Sequence, residues 1–372
     1  MRVIIAAGGT AGHINPALAI ADKIASLVPE SNILFMGTQT GLEAGLVTRA
    51  GYAFAPIKAA GLQRGFSPRK IARNVKAACY FITASQTAKR LIQGFKPDIV
   101  IGTGGYVTAP VLKTAAKLGV KTVTHESNSL PGITTRLLAK TADRVFAACE
   151  DTLKGLPPSD KYMVTGNPLR GVFCAQKRED ALTSLGLLPG MTVLSFGGSL
   201  GANKITKAII DLLKWEREKG DVNHIHAYGG NGRKIFEKLL HENDVFPDNE
   251  RTIFAEYIHN MYVCMAAADL VISRSGSMTQ TELKAFGRAS IQIPWAGATE
   301  NHQYYNALGM SEKGAAVLIK DDELTGQKLI QTVERLYDDR NLISEMEKNA
   351  VGLATPNAAD IIVSEIIKLV NS

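Results

Sequence analysis

Two stretches of this chain run from a short apolar segment straight into glycines and then into a helical pattern: RVIIAAGGTAGHI at 2–14 and TVLSFGGSLGANKI at 192–205. Glycines at a strand-to-helix turn let backbone approach a ligand closely, and the N-terminus of the following helix favours anions. Neither property needs the histidine at position 13. His13 therefore reads as chemistry beside a bound group or as a plain helix cap.

Strand-like and helical patterns alternate around both stretches, which predicts parallel α/β architecture. In the first half the strand candidates are RVIIAAGG, NILFMGT, DIVIGTGG, KTVTHES and RVFAAC, with helical NPALAIADKIASLV and APVLKTAAKLG between them. Prolines and a glycine break the pattern in PPSDKYMVTGNPLRGVF, and it restarts with TVLSF, HIHAYGG, TIFAEYI, DLVISRS and ASIQIPW before closing helices from about Glu323. The chain reads as two doubly wound, Rossmann-like halves, 1–166 and 167–356, with ligands at the C-terminal ends of the strands.

Composition enters by exclusion. At 372 residues and 45% hydrophobic the chain fits two cores. No run of about eighteen apolar residues is present to cross a membrane, and the apolar part of the N-terminus is too short for a signal peptide. Cys79, Cys149, Cys174 and Cys264 are scattered, as expected in a reducing cytoplasm and unlike a zinc knuckle. The net charge of +7 is uneven: residues 44–97 hold ten Lys or Arg and no Asp or Glu. Inside that block Ile71, Val75, Ala78 and Ile82 fall at helical spacing beside Arg69, Lys70, Arg73 and Lys76. This is either an ordinary solvated face or a surface for anionic lipid or an anionic substrate; no nucleic-acid motif accompanies it.

The two glycine turns fail the nicotinamide fingerprint, which needs glycines at positions one, three and six and an acid ending the second strand. No G-K-[ST] follows either turn, so a P-loop is excluded as well. HESNS at His125 begins like a zinc-protease helix but has Ser129 at its fifth position, and no D-x-D occurs to hold a metal on a diphosphate. A sugar-nucleotide site without D-x-D must offset the leaving diphosphate with backbone amides and arginines. Arg170 in GNPLR, Ser199 in GGSLGA and the Gly/Ser turn of SRSGSMTQTE supply those parts, and Glu282, about one turn beyond Thr279, suits both hydroxyls of a ribose.

Seven segments, GGTAGHINPALAIA, GTGGYVTAP, HESNSLPGITTRLLAK, VTGNPLR, FGGSLGA, SRSGSMTQTEL and ENHQYYNA, occur in the order and spacing of the MurG family, which this chain resembles over nearly its whole length. The resemblance implies the GT-B fold of glycosyltransferase family 28, two Rossmann-like domains facing across a cleft, with helix 357–372 returning to the first. It implies an inverting N-acetylglucosaminyltransferase that carries UDP-N-acetylglucosamine to lipid I, giving lipid II, without a metal or cofactor. It implies a peripheral place at the cytoplasmic face of the bacterial membrane through Arg64–Arg90, with cell-wall synthesis and division proteins as partners. Other GT-B transferases acting on a lipid or small aglycone are the alternative.

Carried over residue by residue, the resemblance implies His13 or Glu126 as catalytic base. Donor contacts fall at Thr10, Ala11, Gly12, Asn128, Arg170, Ser199, Ile258, Ser277, Met278, Thr279, Glu282, His302 and Gln303. Acceptor contacts fall at Gly8, Gly9, Gly104, Gly105, Tyr106, His125 and again Asn128. The chain departs from the family at Ala11, where glycine is usual and a methyl is tolerable only at negative φ. It departs also at Leu200, where glutamine is frequent, and at His302, where some members have a second glutamine.

Overall fold

The apolar runs become strands because both their faces are covered. Val3, Ile4 and Ile5 of β1 (Arg2–Ala6) have no exposed surface, and all six residues of β8 (Met191–Phe196) are buried. A sheet wet on one face would alternate instead. The computed structural model describes residues 1–60, 68–170, 177–198 and 201–372, and only the backbone at 68–76, 78 and 299. Arg64, Cys174, Ser199, Leu200 and the side chains of Arg69, Lys70, Arg73 and Lys76 therefore lie outside the described residues.

The chain divides into two units, Met1–Gly171 with Thr355–Ser372, and Val172–Ala354. The first holds a parallel sheet in which β1 is joined by β2 (Asn32–Gly37), β3 (Ala53–Pro56), β4 (Ile99–Gly102), β5 (Lys121–Glu126), β6 (Arg144–Ala147) and β7 (Tyr162–Val164), in the order β3-β2-β1-β4-β5-β6-β7. The second orders its strands β10-β9-β8-β11-β12-β13: β9 is Val222–Ala227, β10 Thr252–Ala255, β11 Leu270–Ser273, β12 Ala289–Gln292 and β13 Ala316–Leu318. Both sheets reverse direction of growth once, between β1 and β4 and between β8 and β11. In such sheets the crevice for a ligand opens at that reversal.

Helix α1 (Ala11–Leu27) starts four residues before the pattern NPALAIA suggested, so Pro16 lies inside it and His13 sits in its first turn rather than capping it. Ala11 opens the helix and is not among the residues with positive φ, which accommodates its methyl. The closing helix Ala358–Asn371 seats Ile362, Val363 and Ile366 in the core of the first unit with Ile14, Leu18 and Ile24 of α1. Three buried aliphatic side chains contribute roughly 1.5–3 kcal/mol each. The first unit extends past the anticipated limits, to residue 171 and back to 355. Asn167 donates to the Ser127 carbonyl at 3.1 Å, Arg170 pairs with Asp22, and Gly166 backs directly onto Thr355.

Candidate active site

At the reversal of the first sheet, two glycine turns lock together. The turn after β1 carries Gly8, Gly9 and Thr10; the turn after β4 carries Gly104, Gly105 and Tyr106. Gly104 and Gly105 have φ of 105° and 84°, which only glycine adopts readily. A Cβ on Gly105 would strike the Gly8 carbonyl, and one on Gly104 would stand 2.5 Å from Cδ2 of His13. The Tyr106 ring covers Gly9 in turn. Thr103 Oγ1 donates to the His13 carbonyl at 2.7 Å, tying the start of α1 to the end of β4.

The His13 ring is fixed by its Nδ1, 3.2 Å from the Gly8 carbonyl oxygen and 3.4 Å from Thr10 Oγ1. A carbonyl only accepts, so Nδ1 carries the proton and Nε2 is the accepting nitrogen. That is the tautomer a general base needs.

Glu126, at the end of β5, is differently placed. Its Oε1 accepts from the backbone N–H and side-chain amide of Asn128 at 3.1 and 3.0 Å; its Oε2 accepts from Gly132 N–H at 2.9 Å and Thr135 Oγ1 at 2.5 Å. Four donors fill both oxygens, so Glu126 organises the loop into helix Ile133–Leu138 and has no lone pair aimed at a substrate proton. Asn128 is spent in the same loop, its carbonyl accepting from Thr152. His125, expected beside the acceptor, is 1% exposed; its Nε2 donates to the Gly166 carbonyl at 3.1 Å, and burial keeps its basicity below the ordinary histidine value. It braces the strand end instead of facing a ligand.

The second unit opens a cavity of about 620 Å³ at its own sheet reversal, walled by the glycine turn after β8, by Arg274 and Gly276 after β11, and by Trp295 after β12. Thr279 and Gln303 of the expected donor set line it; Ile258, Ser277, Met278, Glu282 and His302 are not among its lining residues. Gly276 is the extended N-cap of helix Ser277–Phe286, whose first turn points unpaired N–H groups outward. Gln303 Oε1 accepts the Trp295 N–H at 2.9 Å, leaving the amide NH₂ as its donor. Just before helix His302–Ser311, Glu300 and Asn301 both hold left-handed φ of 54° and 56°, strain of the kind that gathers at ligand loops. Glu282 stands one turn beyond Thr279. It is half-buried and has no hydrogen-bond or ionic partner among the described residues; desolvation pushes its carboxyl up to about 7.

Three charged residues of the cavity were not singled out in the sequence. Lys204 Nζ lies 2.9 Å from Asp321 Oδ2, and Arg274 Nη1 bonds Asp321 Oδ1 and, at 3.0 Å, the Ile293 carbonyl. Burial alone would raise the Asp321 carboxyl, but hydrogen bonds from Lys204 and Arg274 hold it below its usual range. Lys204 and Arg274 were present in the quoted motifs GGSLGANK and SRSGS; their meeting at Asp321 was not legible there. Arg170, expected at the diphosphate, belongs to the first unit, where its Nε is 2.7 Å from Asp22 Oδ2.

A further cluster has the connectivity of a nucleophile relay. Ser195 Oγ lies 2.7 Å from both His224 Nε2 and His226 Nδ1, and His224 Nδ1 contacts Glu216 at 2.8 Å. All four side chains are buried within the second sheet and its covering helix, and desolvation drives His226 down to about 3. No substrate reaches Ser195, so the cluster is internal structure.

Family models match both halves: the glycosyltransferase family 28 N-terminal domain over residues 3–147 and its C-terminal domain over 192–363. A protein of Desulforamulus reducens, named UDP-N-acetylglucosamine--N-acetylmuramyl-(pentapeptide) pyrophosphoryl-undecaprenol N-acetylglucosamine transferase, is 41% identical over 372 residues, covering 100% of this chain and 98% of its own. The crystal structure of Acinetobacter baumannii MurG superposes with a TM-score of 0.74 at 27% identity, covering 99% of each chain. A UDP-GlcNAc 2-epimerase from Neisseria meningitidis, solved with UDP-GlcNAc, reaches 0.68 at 17% identity over 99% of this chain and 100% of its own, a likeness of fold.

Proposed function

The chain belongs to glycosyltransferase family 28, and on that premise we infer that it transfers N-acetylglucosamine from UDP-N-acetylglucosamine to the C4 hydroxyl of the muramoyl sugar of lipid I, giving lipid II. The observation that carries the reading is His13, held by Nδ1 on the Gly8 carbonyl so that Nε2 is its accepting nitrogen. The acceptor C4 hydroxyl gives its proton to Nε2 as its oxygen bonds C1 of the donor sugar. The C1–O bond to the β-phosphate breaks from the opposite face, its electron pair leaves with UDP, and the configuration at C1 inverts. Lys204, Arg274 and the amides opening helix Ser277–Phe286 take the growing diphosphate charge, and Glu282 accepts the ribose hydroxyls. This division of labour requires no divalent ion.

The test is UDP release from UDP-N-acetylglucosamine, with and without a lipid I analogue, in EDTA. Release that depends on the analogue supports the reading. Release without it points to an epimerase-like reaction, and loss in EDTA with restoration by magnesium refutes the metal-free site.

The acceptor's lipid requires a membrane surface, and no helix among the described residues is long and apolar enough to cross one. We assign the contact to the first unit. A groove of about 950 Å³ runs between helix α3 (Pro68–Phe95, after α2 at Leu42–Arg49) and helix α4 (Thr108–Lys117), with Phe81 and Ile82 exposed and Lys89, Lys113 and Lys117 at its sides. Apolar side chains beside three lysines fit an anionic headgroup layer, at about 1 kcal/mol per cation. Reversing the three lysines to Glu should release the protein from phosphatidylglycerol vesicles while sparing turnover of a short-chain soluble acceptor; unchanged vesicle binding discards the assignment.

A further inference from the structure

Behind the first glycine turn lies a carboxylate that the reading above does not use. Glu43, in the first turn of α2, is 1% exposed. Its Oε1 accepts from Thr38 N–H at 2.8 Å and Thr38 Oγ1 at 2.6 Å, and its Oε2 accepts from Gly9 N–H at 3.4 Å. Among the described residues its hydrogen-bond partners are Thr38 and Gly9. Gly8, Gly37 and Gly41 leave the space it fills: a Cβ on any of them would come within 2.8 Å of its side chain.

The peptide group that reaches Glu43 through Gly9 N–H is the one whose other end, the Gly8 carbonyl, accepts from His13 Nδ1. We propose that Glu43 is a positioning residue for His13, acting through the Gly8–Gly9 peptide. A carboxylate at the N–H end of an amide polarises it and makes its carbonyl a stronger acceptor, since linked hydrogen bonds reinforce one another. The stronger acceptor fixes the Nδ1–H tautomer and stabilises the imidazolium that forms when Nε2 takes a proton. The fold needs such an offset, because His13 lies in the first turn of α1, where the helix dipole disfavours a cation.

Of the described groups near His13, burial keeps His125 below its ordinary basicity, Glu126 is filled by four donors, and Thr10 offers a hydroxyl.

The proposal rests on His13 as base only for its catalytic consequence, so the test reads the imidazole directly. The pKa and tautomer of His13 are followed by NMR in the full chain with ¹⁵N-labelled histidine, assigned by loss of the signal in His13→Ala. In Glu43→Gln the His13 pKa should fall by about half a unit or more, a typical effect of removing a nearby carboxylate. The acid limb of the kcat profile should move with it, donor KM should hold, and Glu43→Asp should recover part of both. A fall in pKa with the acid limb unmoved supports the coupling and removes His13 as the base. An unmoved pKa overturns the proposal, whatever happens to turnover. Should Glu43→Gln fail to fold, Glu43→Asp alone decides: it keeps the charge on a shorter arm, so an imidazole titrating as in the parent overturns the coupling.

Discussion

The two units solve the same geometric problem in opposite ways. Each gathers its site where its sheet reverses, on a glycine turn leading into a helix. In the first, the groups are already spoken for: His13 on Gly8, Glu126 on four donors, Glu43 on Thr38 and Gly9, Gly104 flush against the imidazole. In the second, the groups wait: Glu282 has no described partner, Arg274 and Lys204 meet on Asp321 with Arg274 also on the Ile293 carbonyl, and a cavity of about 620 Å³ stands between the glycine turns. A site that moves a proton needs its base fixed to within fractions of an ångström. A site that binds a charged nucleotide needs unsatisfied partners ready to accept it. The contrast therefore separates turnover from donor binding, and substitutions in the two units should fall on different kinetic constants.

The largest effect belongs to His13. General-base catalysis is worth about 10²–10⁴, so His13→Ala should lower kcat by that much and leave donor KM nearly unchanged. The acid limb of the pH–rate profile should flatten in the same variant. Turnover that survives His13→Ala but not Glu126→Gln would reverse the assignment, and would mean that the four-donor cage around Glu126 opens when substrate binds.

Next comes the tightness of the first site. Gly104→Ala brings a methyl to 2.5 Å from the His13 ring at a φ of 105°. A displacement near 1 Å at a reacting group can cost about 10² in rate. Turnover should drop by that order with donor KM steady, whereas the same change at Gly198, where a Cβ meets nothing within 4 Å, should cost far less turnover. Equal losses at both glycines would mean that left-handed backbone strain, not the contact with His13, sets the cost.

How much of this was legible in the sequence follows from where each group finds its partner. The central strands were readable because burial on both faces leaves unbroken apolar runs, as in VII of β1 and VLSF of β8. The outer strands β3, β7 and β13 were not, being three or four residues long, partly exposed and, in β3, ending in Pro56. The glycine turns and His13 were legible as local motifs. Partnerships across long separations were not: Arg274 meets Asp321 47 residues on, Gly9 meets Glu43 34 residues on, and Arg170 meets Asp22 148 residues back. Nothing local marks Glu43 or Asp321, because Gly9 and Arg274, which they meet, lie far away in the chain.

The smallest effects test whether the second site is kept unsatisfied at a cost. Glu282→Ala should raise donor KM about ten-fold, the worth of one hydrogen bond to a charged group, with kcat on saturating donor little changed. The carboxyl sits at about 7 against an ordinary 4.5, raised by desolvation. In the proposed role the ionised form accepts the ribose hydroxyls, so donor KM in the parent should climb as pH falls below 7, by about ten-fold between pH 8 and pH 6. Stability runs the other way. A carboxyl whose pKa is raised by folding contributes its full stability below the unfolded value near 4.5 and loses it as pH rises through 7. Above that pH the folded chain carries a poorly solvated charge, at roughly 1–3 kcal/mol after allowing for its partial exposure. Glu282→Gln removes the charge and keeps the shape, so it should melt higher than the parent at pH 8 and equal to it at pH 5, while binding donor less well. A variant that loses donor affinity without gaining stability at pH 8 would show that Glu282 is as well satisfied in the empty site as Glu126 is, and the contrast between the two units would fail at the residue where it is sharpest.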